Sequence, residues 1–242
     1  LSGNLSLETA AAEARAAYNT KGRVFVTLDD ISVIILTYNR PRGPQSIIEK
    51  LPPGLEIAVI DDGSDKDPVI PDGVIYESLR PKEGCRAASC RNRGIELTTR
   101  PKIVFLDDDV VPSPGLIFAH SLALQMYDVS LGLLCNQSFN PDTDERTLFF
   151  IRRTSLWRFC WTGNLAVRRA MLSKVGNFDT MYDGDYGYED LDLGKRMALA
   201  GGKFILNHMA LALHPEVRMV DDADPMVIAN LKKFEEKWGA IF

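Results

Sequence analysis

Cysteine is scarce in this chain and unpaired in its spacing. Four cysteines stand in 242 residues, Cys85, Cys90, Cys135 and Cys160, and no two form a C-x-x-C pair. That spacing excludes a zinc ribbon and gives no sign of a disulfide framework; it reads as scattered buried thiols in a reducing compartment. Long apolar runs are lacking too. No stretch of about 18 uncharged apolar residues occurs, so no membrane span is expected. A basic excess is absent: Lys and Arg total 28 against 33 Asp and Glu, a net charge of −5. A chain that grips a nucleic-acid backbone by bulk charge looks otherwise, so no nucleic-acid partner is expected. Neither G-x-G-x-x-G nor G-x-x-x-x-G-K-[ST] follows the first apolar run, which ends Thr37-Tyr38-Asn39-Arg40-Pro41. A dinucleotide enzyme of the usual kind and a P-loop NTPase are thereby disfavoured. Repeats and low-complexity segments are missing as well.

The composition, 45% hydrophobic and 25% charged, is that of a chain with a core of its own. Its apolar runs are short and rich in Val and Ile, as buried parallel strands are. They fall at Ser32 to Thr37, Leu55 to Ile60, Gly73 to Glu77 and Lys102 to Leu106. Helical stretches separate them, at about Pro44 to Leu51, Gly84 to Thr98 and Pro114 to Tyr127. Such alternation predicts a layered α/β sheet. Further on, the expectations are a loose alternation over 130–160 with a polar loop at Asn136 to Arg146. A short strand at Asn164 to Val167 precedes a helix at Arg169 to Val175. A loop at Phe178 to Gly187 leads into a helix at Glu189 to Ala200, stopped by Gly201-Gly202. Lys203 to Leu206 and Ala210 to Leu213 read as strands, and Asp224 to Trp238 as a helix with Pro225 in its first turn. Leu1 to Tyr18 reads as an amphipathic helix capped by Ser6. The division expected is one domain over 1–242, with a nucleotide-binding half at 31–127 and an acceptor-side half at 128–223. Helices at 1–20 and 224–238 would flank it.

The chemistry is carried by carboxylates at strand ends, where open α/β sheets bind ligands. Asp61 and Asp62 follow the second strand; Asp107, Asp108 and Asp109 follow the fourth. Adjacent ionised carboxylates repel one another, and a hard divalent ion with oxygen ligands offsets that. The same triplet also reads as solvated loop aspartates capping the next helix. Arg86, Arg91 and Arg93 lie in GCRAASCRNRG at a helix start, where they could neutralise a pyrophosphate or form an exposed basic face. Glu189 and Asp190 fall in a helical first turn, where the dipole favours negative charge and a carboxylate could also take a proton. His214 ends an apolar run before Pro215 and could complete a metal site. His120 and His208 receive no role.

Together these pieces resemble the nucleotide-sugar glycosyltransferases of the GT-A fold, most closely the inverting family 2. The resemblance spans roughly Ile31 to Pro215. Five motifs carry it in order: SVIILTYNR at 32–40, AVIDDGS at 58–64, AASCRNRG at 87–94, IVFLDDD at 103–109 and GYEDLDLGKR at 187–196. It implies a Rossmann-like, mostly parallel sheet flanked by helices, with a smaller irregular acceptor-side region. It implies that Thr37, Tyr38, Asn39, Arg40 and Asp62 line the nucleotide pocket and that Arg91 lies near base and phosphates. Asp107 or Asp108 would meet the ribose, as in a D-x-D motif. Asp109 would hold Mn²⁺ or Mg²⁺, with His214 and Asp107 as further candidate ligands. Asp190 matches the catalytic base of inverting members, with its neighbour Glu189 the second candidate. Trp161, Thr162, Gly163 and Asn164 would border the sugar or acceptor.

The implied activity moves a sugar from a nucleoside diphosphate sugar, UDP-sugars first, to a hydroxyl of a glycan, lipid-linked or small-molecule acceptor. A retaining GT-A transferase and a nucleotidyltransferase stay open as alternatives. The Q-x-x-R-W motif of polymerising members is absent, which disfavours processive synthesis. The expected place is the cytoplasm, or the inner face of a membrane as a peripheral protein.

Overall fold

The computed structural model describes residues 28–135, 155–215 and 224–240. Eight strands form one mixed sheet: β1 (Ile31–Thr37), β2 (Glu56–Asp61), β3 (Ile75–Ser78), β4 (Lys102–Asp107), β5 (Val111–Pro112), β6 (Val129–Cys135), β7 (Asn164–Arg168) and β8 (Phe204–Leu213). Their spatial order is β3-β2-β1-β4-β7-β6-β8-β5. β1 to β4 are mutually parallel, and β6 runs parallel to β8. β7 is reversed against both its neighbours, and β5 is reversed against β8. Six helices accompany the sheet among the described residues: α1 (Gly43–Ile48), α2 (Ala87–Leu97), α3 (Leu116–Ala123), α4 (Arg169–Val175), α5 (Glu189–Leu199) and α6 (Pro225–Trp238).

Alternation along the strands sends side chains to two layers. Ile31, Val33 and Ile35 of β1 join Val104 and Leu106 of β4 beneath Ile47 of α1 and Leu116 and Ile117 of α3. Ile34, Ile103, Phe105, Leu165 and Val167 face the other way, into Ala88 and Ile95 of α2, Met171 and Leu172 of α4, and Leu193 and Met197 of α5. Both faces are covered, so these strands read as unbroken apolar runs; each fully buried Ile or Phe contributes about 1.5–3 kcal/mol. A third cluster sits under α6, where Phe234 and Tyr182 are buried with Trp157, Tyr188, Leu191, Leu231 and Trp238 around them.

The first half follows the sequence expectation closely, with helices shorter by a few residues than their periodicity suggested. In the second half β7, α4, α5 and α6 also lie where expected, and the departures are confined to β6, β8 and one turn. The loose alternation near 130 is a central strand, β6, and the two short runs after 203 are one strand, β8. A register shift at Gly132/Leu133 breaks the β6–β8 pairing, which is why β8 reads as two pieces. The segment expected as a plain loop contains a 3₁₀ turn at Thr180–Tyr182.

One buried polar cluster explains why β6 and β8 were hard to read. His120 of α3 is fully buried, its Nδ1 2.9 Å from Ser130 Oγ and its Nε2 2.9 Å from Asn164 Oδ1. Asn164 donates on to the carbonyls of Leu133 and Ala210. Asn207 donates to the Ser130 hydroxyl and to the Ala119 carbonyl. Gly132 leaves room for this, since a Cβ there would fall 2.2 Å from the Asn164 amide nitrogen. Polar residues inside strands break the apolar signature.

All four cysteines are free, with Cys90, Cys135 and Cys160 buried and Cys85 half-buried. No helix among the described residues is long and apolar enough to cross a membrane. The expected helix at Leu1 to Tyr18 and the expected loop at Asn136 to Arg146 lie outside the described residues.

Candidate active site

The carboxyl ends of β1, β2 and β4 open on one side of the sheet. Parallel pairing sets Thr37 beside Asp61 and Leu36 beside Asp107. At the end of β1, the Thr37 hydroxyl donates to Asp108 Oδ2 over 2.5 Å. Arg40 reaches across to the same triplet, 3.3 Å from Asp108 and 2.9 Å from Asp109 Oδ2. Burial pushes the Asp108 carboxyl up to about 7, against the Thr37 hydrogen bond and Arg40, which favour its charge. Burial also raises Asp107, with Arg91 opposing and Asp109 adding to the rise.

His214 arrives by strand pairing. β5 lies antiparallel to β8 with Val111 opposite Leu213, so the residue after β8 meets the turn that ends β4. Its Nε2 lies 3.4 Å from Asp109 Oδ1. That Oδ1 and His214 Nδ1 are both buried without a hydrogen-bond partner. Buried polar atoms are rarely left so, and a cation between a carboxylate and an imidazole would satisfy the oxygen. Among the described residues no three His, Cys, Asp or Glu side chains form a ready cage. A hard ion that takes one or two carboxylates and completes its shell from phosphates and waters needs none. Asp109 and His214 therefore fit such an ion.

The two aspartates after β2 are used differently. Asp61 is fully buried and accepts from Ser64, from Ser78 Oγ at 2.9 Å and from Tyr76 Oη at 3.2 Å, closing the turn after the strand. Asp62 accepts from Arg86 Nε at 2.9 Å and from Lys82 Nζ. Lys82 also lies over the half-exposed ring of Tyr38, 4.2 Å from its centroid. Asn39 has a positive φ of 52° and receives the Asp65 N–H on its side-chain oxygen, which ties the turn after β1 to the turn after β2. Arg86 thus joins Asp62, as its place in the basic segment allowed. Lys82 gave no sequence signal.

The opposite wall is the first turn of α5. It begins from Tyr188, held at φ 73°, a conformation that a bulky side chain adopts only under constraint. The constraints are visible. Asp183 accepts from the N–H groups of Ala88 and Ser89 and caps α2 from outside it. Gly184 N–H donates to the Cys85 carbonyl at 2.7 Å, and a Cβ on Gly84 would strike Gly184 at 2.8 Å. From α6, Asn230 donates to the carbonyls of Tyr182 and Gly187. The loop is so pinned from two sides.

Arg91 lies under this wall rather than beside Asp62. It is buried, 2.7 Å from Glu189 and 3.6 Å from Asp107. Asp190, next to Glu189, is pushed up to about 7 by burial first and by the Glu189 charge second, with Arg91 opposing. Leu191 N–H donates to its Oδ1 at 2.7 Å. Of the Trp161–Asn164 stretch, Gly163 abuts Asp107, since a Cβ there would lie 2.8 Å from the carboxylate. Trp161 is half exposed and meets Phe159 edge-on, and Thr162 is buried. The Asn164 amide is spent on the core cluster and is unavailable to a sugar.

A cavity of about 570 Å³, lined by Lys102, Arg168, Arg169 and Ser173 among others, opens at the opposite end of the sheet, beside the start of β4.

The family profile described as "Glycosyl transferase family 2" matches residues 32–176. Among curated proteins, the pre-mycofactocin glycosyltransferase of Mycobacterium tuberculosis is 26% identical over 207 residues, 76% of this chain and 42% of that protein. The validoxylamine A glucosyltransferase of Streptomyces hygroscopicus subsp. limoneus is 27% identical over 224 residues, 71% of this chain and 48% of that protein. The chain thus spans less than half the length of these relatives. Among solved structures, S. aureus TarS 1-349 superposes with a TM-score of 0.60 at 16% identity, covering 77% of this chain and 60% of that one. The mannosyltransferase PcManGT from Pyrobaculum calidifontis, in complex with GDP-Man and Mn²⁺, does so at 0.58 and 17% identity, covering 95% and 71%. At such identities the likeness is one of fold, and the fold is that of GT-A glycosyltransferases.

Proposed function

The chain belongs to glycosyl transferase family 2, and on that premise we propose that it moves a sugar from a nucleoside diphosphate sugar, a UDP-sugar first, to an acceptor hydroxyl with inversion. One observation carries the reading. Asp190, a carboxylate with a proton affinity near neutrality, stands at the start of α5, joined through Glu189 and Arg91 to the Asp107–Asp109 turn. A candidate base and a candidate donor-side cluster are thus linked through one buried cation.

The roles divide along the two walls. Tyr38, Asn39, Asp62 and Arg86 form the nucleobase side. Thr37 and Arg40 hold Asp108 toward the ribose and phosphates. Asp109 and His214 would hold a divalent ion, whose charge favours departure of the diphosphate. Asp190 takes the proton of the acceptor hydroxyl as that oxygen bonds to the anomeric carbon. The bond from that carbon to the diphosphate oxygen breaks, and its electron pair leaves with the phosphate. Attack from the face opposite the leaving group inverts the centre. The base must come within about 3 Å of the acceptor oxygen, and a pKa near the working pH suits it. The names of the relatives, a glycosyltransferase and a glucosyltransferase, support hexose transfer. The neighbour solved with GDP-Man and Mn²⁺ supports a nucleotide-sugar donor with a metal.

Calorimetric titration of UDP, GDP and dTDP, each with Mn²⁺ and with chelator, tests the reading. Metal-dependent binding of one nucleotide is the expected result. Absence of binding by all three in folded, metal-supplied protein would overturn it.

A further inference from the structure

We propose that Arg91 is a positioning residue: its buried guanidinium ties the first turn of α5 to the end of β4, and so sets where Asp190 stands relative to the donor. The inference rests on the glycosyltransferase reading for its consequence but on geometry for its content.

Three elements meet at this side chain. Arg91 stems from α2, bonds Glu189 of α5 over 2.7 Å and approaches Asp107 at the end of β4 over 3.6 Å. Its guanidinium also lies over the Phe178 ring, 5.6 Å from the centroid. Both Arg91 and Glu189 are only 6% exposed, so the pair is out of water's reach. A planar guanidinium can serve two carboxylates at once, which an ammonium does less well. The other cations at the carboxyl ends of the strands are more exposed: Arg86 and Lys82 at Asp62, and Arg40 at Asp108 and Asp109.

Glu189 needs an anchor. It follows Tyr188, whose left-handed backbone gives α5 an unfavourable start, and no side chain caps this helix. The Arg91–Glu189 pair anchors that first turn, with Asp190 one residue on. A buried ion pair adds little net stability over apolar residues of the same shape. Its effect here is to fix a distance: the donor-side carboxylate and the base-bearing turn share one cation.

The charged and titratable groups facing Asp190 are Glu189 on its own helix, Arg91 from α2, Asp107 from β4, Cys160 from the turn before β7, and Tyr186 from the preceding loop. Arg91 favours the ionised form of Asp190 and Glu189 disfavours it, so their removal has opposite signs.

The test uses the full chain with Arg91→Met, Glu189→Gln and the double variant. Arg91→Met alone leaves Glu189 buried and unpaired and will lose stability or fail to fold; the double variant removes both charges and should melt close to wild type. In the folded double variant, affinity for the Mn²⁺-supported nucleotide should stay within about 3-fold, while kcat for donor turnover falls about 30-fold or more. Carbonyl ¹³C NMR of the aspartates reads Asp190 without turnover. Its titration should move down in Glu189→Gln and up in any folded fraction of Arg91→Met. A double variant that turns over at the wild-type rate overturns the proposal. So does a 10-fold loss of nucleotide affinity with the Asp190 titration unmoved, which would make Arg91 a donor ligand. If the wild-type chain binds no nucleotide, the glycosyltransferase reading fails, and the two NMR shifts still decide whether Arg91 governs Asp190.

Discussion

The imidazole Nε2 of His214 stands 3.4 Å from Asp109 Oδ1, bringing the residue after β8 to the turn after β4. Both Asp109 Oδ1 and His214 Nδ1 are buried without a hydrogen bond. If the pair holds a divalent ion, Asp109→Ala should weaken Mn²⁺-dependent nucleotide binding by about 10-fold or more. His214→Ala should do the same to a smaller extent, since neutral imidazole brings no charge to the ion. Calorimetry with and without chelator checks both. Unchanged affinity at saturating metal would remove Asp109 from the site.

Asp190→Asn should abolish transfer and leave nucleotide binding largely intact. The wild-type rate should depend on pH in a fixed direction. The base works as a carboxylate, and burial beside Glu189 holds its proton until about pH 7. Activity therefore rises as pH rises through about 7 and falls about 10-fold for each unit below it. A flat profile between pH 5.5 and about 7.5 would count against Asp190 as the base.

His120 makes a prediction about stability. Full burial lowers its pKa from 6.5 to about 4. In the folded chain it stays neutral down to about pH 4, while the unfolded chain takes up the proton near 6.5. The unfolded state thus binds more protons in that window, and stability falls as pH drops from 6.5 toward 4. The loss attributable to His120 is about 3 kcal/mol. Urea unfolding of wild type and His120→Gln across this window should show a shallower pH dependence in the variant. Equal slopes would assign the dependence to other groups.

Asp192 ties α6 to α5. It is fully buried, with Arg196 Nε and Lys237 Nζ each 2.7 Å away and Trp238 Nε1 at 2.8 Å. Asp192→Asn leaves two cations facing a neutral group and should cost about 3–5 kcal/mol in chemical denaturation. A cost below about 1 kcal/mol would mean that the apolar cluster around Phe234 holds α6 by itself.

Much of this was legible in the residues because local and global signals agreed. β1, β2 and β4 are Val- and Ile-rich runs ending in polar turns, and each lies where its pattern put it. The helix after Asp224 was readable from Pro225, and the structure adds the Asp224 cap, which accepts from Met226 N–H. Position along the chain, however, does not tell partner. Arg86, Arg91 and Arg93 are neighbours in sequence, yet one bonds Asp62, one Glu189 and one Glu77. The turn of α2 sends their side chains in different directions, and only the partners on distant elements decide their use. Asn164 looked like part of a sugar-binding stretch, and the core cluster around His120 claims it. The β6–β8 half stayed obscure for the same reason: its polar residues face inward to one another, which no periodicity announces.

The late place of β7 in the chain also governs how the chain can assemble. β4 is flanked by β1 on one side and by β7 on the other. As synthesis proceeds, residues 31–127 emerge with β1 to β4 ready to pair, but one edge of β4 has no neighbour until residue 168 has left the ribosome. Until then the nascent chain presents an open row of N–H and C=O groups at the strand that ends in Asp107, a template for wrong pairing. The half that carries the aspartate triplet is therefore not a unit that can be cut out and kept in solution. A fragment ending at residue 127 should aggregate, and its rescue should require the segment that supplies β7.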